Sequence, residues 1–219
     1  MSEIEVEARA YSLGEEIANS VSHGLGFLVA LAATPWLIWT AVERGTIAAV
    51  VGVSVFATTL MLMFITSTLY HALPHPRLKP VLRLLDHNAI FLLIAGTYTP
   101  LSLVALGGGW GWTLFGCVWF LAAVGVVLNT VAHGRWRWLS ITLYLAMGWL
   151  VVVAIKPLVA ALDTRELVLV AAGGVLYTFG LVFYGSKKLP YAHAVWHVFV
   201  LAASVLHYLA VLFAVGMTP

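Results

Sequence analysis

Apolar residues run almost unbroken through seven long stretches of the chain, separated by short polar or glycine-rich pieces. A helix that crosses a bilayer needs about 20 mostly apolar residues. The pattern predicts such helices over 17–41, 46–70, 88–106, 112–132, 138–156, 166–184 and 193–215. Gly107-Gly108-Gly109 and His133-Gly134-Arg135 mark two of the breaks. The second stretch is long enough to tilt or to emerge from the bilayer. Strands of a membrane β-barrel would be short and would alternate apolar with polar positions. These runs are apolar at nearly every position, which argues against a barrel. The first stretch is not expected to be a cleaved signal peptide. Its apolar core is too long, and it follows an acidic segment with Glu3, Glu5, Glu7, Glu15 and Glu16. The Lys156-Pro157 pair is expected to cap the fifth helix or to lie in a short external loop.

Composition agrees with the pattern. Hydrophobic residues make up 62% of the 219 residues and charged residues 9%, against about 25% charge in a soluble domain. Eleven Lys and Arg face nine Asp and Glu, too sparse a charge for a nucleic-acid surface, and the apolar content excludes a disordered chain. The lone cysteine, Cys117, excludes an internal disulfide and a cysteine-built metal site. The expectation is an all-α integral membrane protein: a single seven-helix transmembrane domain over 1–219, with 1–16 a short cytoplasmic N-terminal segment. Arg9, Arg77, Lys79, Arg83, Arg135, Arg137, Lys187 and Lys188 fall on one side of the predicted bundle. Only Arg44, Lys156 and Arg165 fall on the other. The positive-inside rule then puts the N-terminus in the cytoplasm and the C-terminus on the extracytoplasmic side of the plasma membrane. Gly24, Gly26, Gly173, Gly174 and Gly180 are expected to let helices approach closely. Trp36, Trp39, Trp110, Trp112, Trp136, Trp138 and Trp149 lie near helix ends and suit interfacial anchors.

The chemistry lies in the few polar residues within these helices, each costly in lipid. Glu16, Asn19 and His23 stand at the start of the first helix, Ser67 and His71 at the end of the second. Asp86, His87 and Asn88 stand at the start of the third, His193 and His197 at the start of the seventh. Four helices thus bring polar groups to one level near the inner leaflet. Asn19 and His23, Ser67 and His71, and His193 and His197 are each four residues apart, which places each pair on one helix face. The last pair offers two imidazoles to one ion and His71 a third. Three imidazoles leave one open position in a tetrahedral zinc site, and neutral nitrogen ligands suit Zn2+ better than calcium or magnesium. The same pair could instead bond across helices or line a proton path. Asp86 is expected to hydrogen-bond water at the open position or to accept its proton. Ser67 is expected to orient that water or donate to an oxyanion, with helix packing as its other role. His23 is a candidate ligand, although Glu16 and Asn19 beside it suggest a polar packing cluster. His75 and His133 are expected at the interface, and His87 at the surface or supporting the site. His207 lies about 15 Å deeper than His197 along its helix and cannot share the ion.

In this order and with these gaps, several pieces are distinctive: Glu16-x-x-Asn19-x-x-x-His23, Ser67-Thr68-Leu69-Tyr70-His71, Asp86-His87 followed by Ala89-Ile90-Phe91, Gly96-Thr97-Tyr98-Thr99-Pro100, and His193-x-x-x-His197. Over essentially its whole length the chain resembles the bacterial hemolysin III proteins, within the wider progestin and adipoQ receptor family. The resemblance implies seven spans with a cytoplasmic N-terminus. It also implies zinc on His71, His193 and His197, with Asp86 at the water and Ser67 beside the site. Some eukaryotic members resemble ceramidases, and bacterial members are linked to membrane fatty-acid balance. The leading expectation is therefore a zinc-dependent membrane hydrolase acting on a lipid amide or ester in membrane lipid homeostasis. The alternative is a non-enzymatic sensor or regulator of membrane state with a structural zinc. A transporter would need polar groups spread through the membrane depth, and only His207, Asn129 and scattered hydroxyls do that.

Overall fold

A computed structural model of the chain describes residues 11–133, 135–186 and 189–216. Glu3, Glu5, Glu7, Arg9, Gly134, Lys187 and Lys188, used above for charge and breaks, lie outside the described residues. Among the described residues, eight α-helices follow in order: α1 (Leu13–Glu43), α2 (Ile47–Ala72), α3 (Lys79–Pro100), α4 (Gly108–Val131), α5 (Arg137–Gly148), α6 (Ile155–Ala161), α7 (Thr164–Gly185) and α8 (Ala192–Gly216). A π-helical turn extends α3 to Leu106, and a 3-10 turn joins α5 to α6, so seven rods are long and apolar enough to cross a membrane.

The ends of these rods have local causes. Ser12 caps α1 in a reciprocal capping box with Glu15, which satisfies two of the N–H groups a helix start leaves open. Thr46 caps α2 by accepting from the Ala49 N–H. Gly107 and Gly108 turn the chain between α3 and α4 at φ +60° and +52°, a conformation open to glycine at little cost.

Three boundaries differ from the sequence pattern. Helix α1 starts at Leu13, so Glu16 lies inside the helix and not in a preceding segment. Helix α3 starts at Lys79, nine residues before the apolar run. Pro80 sits in its first turn, where a missing N–H costs nothing, and Asp86 consequently lies two turns inside. The fifth rod runs on to Ala161, because Pro157 occupies the first turn of α6. There is no external loop at that point.

Helix α8 packs against α1, α2, α3 and α7, and α3 also carries α4 and α5. One apolar cluster, with Phe56, Phe64, Trp196 and Val200, joins α1, α2, α3 and α8; a second, with Phe91, Val118, Tyr144 and Met147, joins α3, α4 and α5. Leu25, Leu28, Phe120, Val182 and Val198 face outward, as lipid-facing residues do. All seven tryptophans named above are exposed. The glycines divide. A Cβ on Gly26 would lie 2.7 Å from Leu201 and Phe64 and one on Gly173 would strike the His207 ring, whereas one on Gly174 would meet nothing within 4 Å. Gly174 does not serve close packing; it faces a cavity.

Candidate metal centre

His193 opens the first turn of α8, and His197 follows one turn later on the same face. His71 ends α2 opposite them. One nitrogen from each of His71, His193 and His197 lies within 4.8 Å of the others. The ring centroids are 5.1 Å apart for His71 and His193, 5.2 Å for His71 and His197, and 4.6 Å for His193 and His197. This is the one group of three or more potential ligands found among the described residues.

Helix α1 orients two of the three rings. His71 Nδ1 donates to Glu16 Oε2 at 2.6 Å, and Lys79 Nζ holds the other carboxylate oxygen at 2.8 Å. His197 Nδ1 donates to the Asn19 carbonyl at 3.1 Å, with the Ser22 hydroxyl at the same distance. A proton fixed on Nδ1 leaves Nε2 with its lone pair. The Nε2 atoms of His71 and His193 are buried and have no hydrogen-bond partner. Orphaned buried acceptors are rare, and a transition-metal ion is the group that such convergent imidazoles fit. An imidazole backed by a carboxylate or a carbonyl is also the usual support for a metal ligand.

The other residues singled out in the sequence divide around this point. His23 is buried and stacked on His197, with centroids 3.5 Å apart and planes at 9°, yet it is not among the convergent nitrogens. Asp86 is buried outside the triad, on the wall of a cavity that His193, His197, His23 and Ser67 also line. Ser67 Oγ is buried without a formed hydrogen bond, and the Asp86 carboxylate lies near enough to interact with it. His87 donates to the Arg83 carbonyl at 2.7 Å, and its Nδ1 lies 3.6 Å from Asp86. His75 and His133 are exposed. His207 Nε2 bonds the Val170 carbonyl on α7 at 3.1 Å, and its ring packs on Tyr177.

Sequence reasoning left Glu16 and Asn19 as a packing cluster and passed over Tyr11. The three-residue step from Glu16 to Asn19, on the face that carries His23, was the available signal for the first two. Nothing signalled Tyr11, whose ring lies 5.7 Å from His71 and 5.2 Å from His193 and covers the triad from outside the span. Burial, the largest cause, raises the Tyr11 phenol above its ordinary pKa, so the covering group is neutral.

Below the triad, the cavity of about 120 Å³ has mostly apolar walls from α3, α5, α7 and α8, with Leu93, Ile94, Leu181 and Val200 among them. The site therefore sets a histidine triad that could hold a metal ion, and a carboxylate, at the head of a greasy pocket.

Comparison with known proteins places the chain in a family. Residues 11–208 match the family model described as haemolysin-III related. The chain is 43% identical over 201 residues to Hemolysin-3 of Bacillus cereus, covering 92% of each. It is 42% identical over 209 residues to a Hemolysin-3 homolog of Bacillus subtilis (strain 168), covering 95% of this chain and 98% of that one. The human Monocyte to macrophage differentiation factor is 30% identical over 167 residues, which cover 72% of this chain and 67% of the relative. A match across nine-tenths of the chain, on a seven-span bundle with a buried histidine triad, identifies a multi-pass membrane protein of the haemolysin-III family, within the progestin and adipoQ receptor superfamily.

Proposed function

We propose that this protein is a zinc-dependent membrane hydrolase that cleaves a lipid amide or ester, acts in membrane lipid homeostasis, and sits in the plasma membrane with its N-terminus in the cytoplasm. His71, His193 and His197 are the residues that hold the ion. Three neutral imidazoles suit zinc and leave room for a further ligand. Zinc bound there supplies Lewis-acid chemistry, polarising a carbonyl and making water acidic near neutral pH.

The observation that carries the proposal is the shared wall. Asp86, Ser67, His193 and His197 line the head of the same apolar cavity. An acyl chain laid in that cavity brings its carbonyl to the triad. The Asp86 carboxylate takes a proton from the attacking water as the new C–O bond forms. The acyl–N or acyl–O bond then breaks, and the leaving group takes up the proton that Asp86 had accepted, which restores the carboxylate. Ser67 donates its hydroxyl hydrogen to the carbonyl oxygen as charge builds there. The apolar walls keep bulk water from the chain.

Asp86→Asn tests this. Because Asp86 lies outside the convergent nitrogens, the variant should keep its zinc and its thermal stability. It should lose about 10²–10⁴-fold in lipid turnover, the contribution typical of a general base. Lost zinc would make Asp86 a ligand, and unchanged turnover would remove it from the mechanism. A parent protein that turns over no amide or ester lipid in native-like membrane would support the sensor alternative, with zinc as a structural clip.

A further inference from the structure

A second chamber, of about 490 Å³, opens beside the triad at the end of the bundle that carries Tyr11, Lys79 and Arg137. It shares His87, Tyr184 and His193 with the apolar cavity. A polar room and a greasy room thus meet at the candidate centre, the shape that an amphiphile with a bulky headgroup needs.

The charges around this chamber are unevenly used. Lys79 is neutralised by Glu16 at 2.8 Å. Both Glu15 oxygens are occupied, one by the Ser12 N–H and one by the Tyr191 N–H. Arg83 and Arg137 have no carboxylate within 4 Å among the described residues. Arg137 is half-buried. Its guanidinium lies 4.6 Å over the Tyr184 ring, one arm donates to the Tyr184 carbonyl, and its Nε is buried without a partner. A stacked guanidinium with a buried, unused Nε–H donor is preorganised for an anion. Two guanidinium groups around a chamber far larger than a carboxylate suit a phosphoester, which arginine binds through paired N–H donors.

We propose that this chamber binds the phosphoester headgroup of an anionic membrane phospholipid, with an acyl chain in the adjoining apolar cavity. The inference rests on the hydrolase reading and narrows its substrate to an acyl ester of a phosphoester lipid. Sharing of walls with the apolar cavity favours the lipid over free phosphate as the source of the anion.

The test is binding, measured in an uncharged maltoside detergent on zinc-loaded Asp86→Asn protein, which leaves the ester probes intact. The probes are dihexanoyl phosphatidylglycerol, dihexanoyl glycerol without the phosphate, glycerol 3-phosphate without the chains, and inorganic phosphate. The phosphatidylglycerol should bind at least about 10-fold tighter than the other three, and more weakly as salt is raised. Arg83→Gln and Arg137→Gln should each weaken it by about 10-fold, with zinc content unchanged. Arg137→Gln also removes support for the Tyr184 carbonyl. Arg83 is exposed and makes one long bond, 3.4 Å to the His133 carbonyl, so its variant decides the matter even if the other fails to fold. Equal binding of dihexanoyl glycerol, equal binding of glycerol 3-phosphate, or wild-type affinity in Arg83→Gln overturns the proposal. Because no turnover is read, a protein that binds the lipid selectively but hydrolyses nothing sinks the hydrolase reading alone. Intact turnover without lipid selectivity sinks this one alone.

Discussion

Glu16→Gln should cripple metal binding although Glu16 lies outside the set of convergent nitrogens. The carboxylate accepts from His71 Nδ1 at 2.6 Å and from Lys79 Nζ at 2.8 Å. A glutamine has one acceptor and one donor end, so it cannot serve both. With its oxygen toward His71, its NH2 would face the Lys79 ammonium, donor against donor. With its oxygen toward Lys79, its NH2 points at His71 Nδ1 and makes that atom the acceptor. The ring proton then moves to Nε2, the ligand atom, and its lone pair is lost. Lys79 selects the second orientation. Loss of a charge-assisted hydrogen bond costs about 1.5–3 kcal/mol, which is roughly 10- to 100-fold in affinity and matches the range for groups that support metal ligands. The assay is zinc competition against a calibrated chelator on purified protein, with thermal stability measured in parallel. Adding Lys79→Met to Glu16→Gln removes the ammonium that dictates the orientation, so the double variant should regain part of the affinity. That positive coupling is the signature of the tautomer argument. Zinc affinity within about 3-fold of the parent in Glu16→Gln, beyond what loss of the bond allows, would refute the reasoning.

His197→Ala, His193→Ala and His71→Ala should each abolish stoichiometric zinc, with elemental analysis as the check; full occupancy in any one removes that residue from the ligand set. Gly173→Ala should destabilise the fold by about 1–3 kcal/mol, because its methyl would strike the His207 ring. Gly174→Ala should fall within about 0.5 kcal/mol of the parent, and thermal melts in detergent separate the two. Reporter fusions at both ends should place the N-terminus inside and the C-terminus outside, as the basic residues require; both ends on one side would sink the orientation.

The bundle was legible in the sequence because lipid imposes a simple rule. Every backbone polar group in the bilayer must be satisfied within its own helix, so a span announces itself as a long apolar run, and all seven rods fall where those runs are. The histidine spacings were legible for the same reason: four residues place two side chains on one helix face whatever surrounds the helix. Boundaries were less so. Lys79–Leu85 mixes charge with apolar positions, and its helix depends on a proline placed in a first turn and on packing against neighbours.

What only tertiary structure decided is how helices distant in sequence meet. Nothing local tells His71 that α8 lies opposite, or separates His23, which stacks on His197, from the three rings whose nitrogens converge. Glu16 and His71 are 55 residues apart, and Asn19 and His197 are 178 apart. Their hydrogen bonds set which nitrogen carries the proton only once α1 has docked against α2 and α8. Gly173 and Gly174 are identical residues side by side, yet one is pressed on His207 and the other faces open space, because successive helix positions point about 100° apart and meet different neighbours. Sequence determined the rods and the faces that carry chemistry, since both follow from backbone periodicity and the cost of polar groups in lipid. The candidate metal centre and the two chambers beside it came from the packing of those rods, which no single segment encodes.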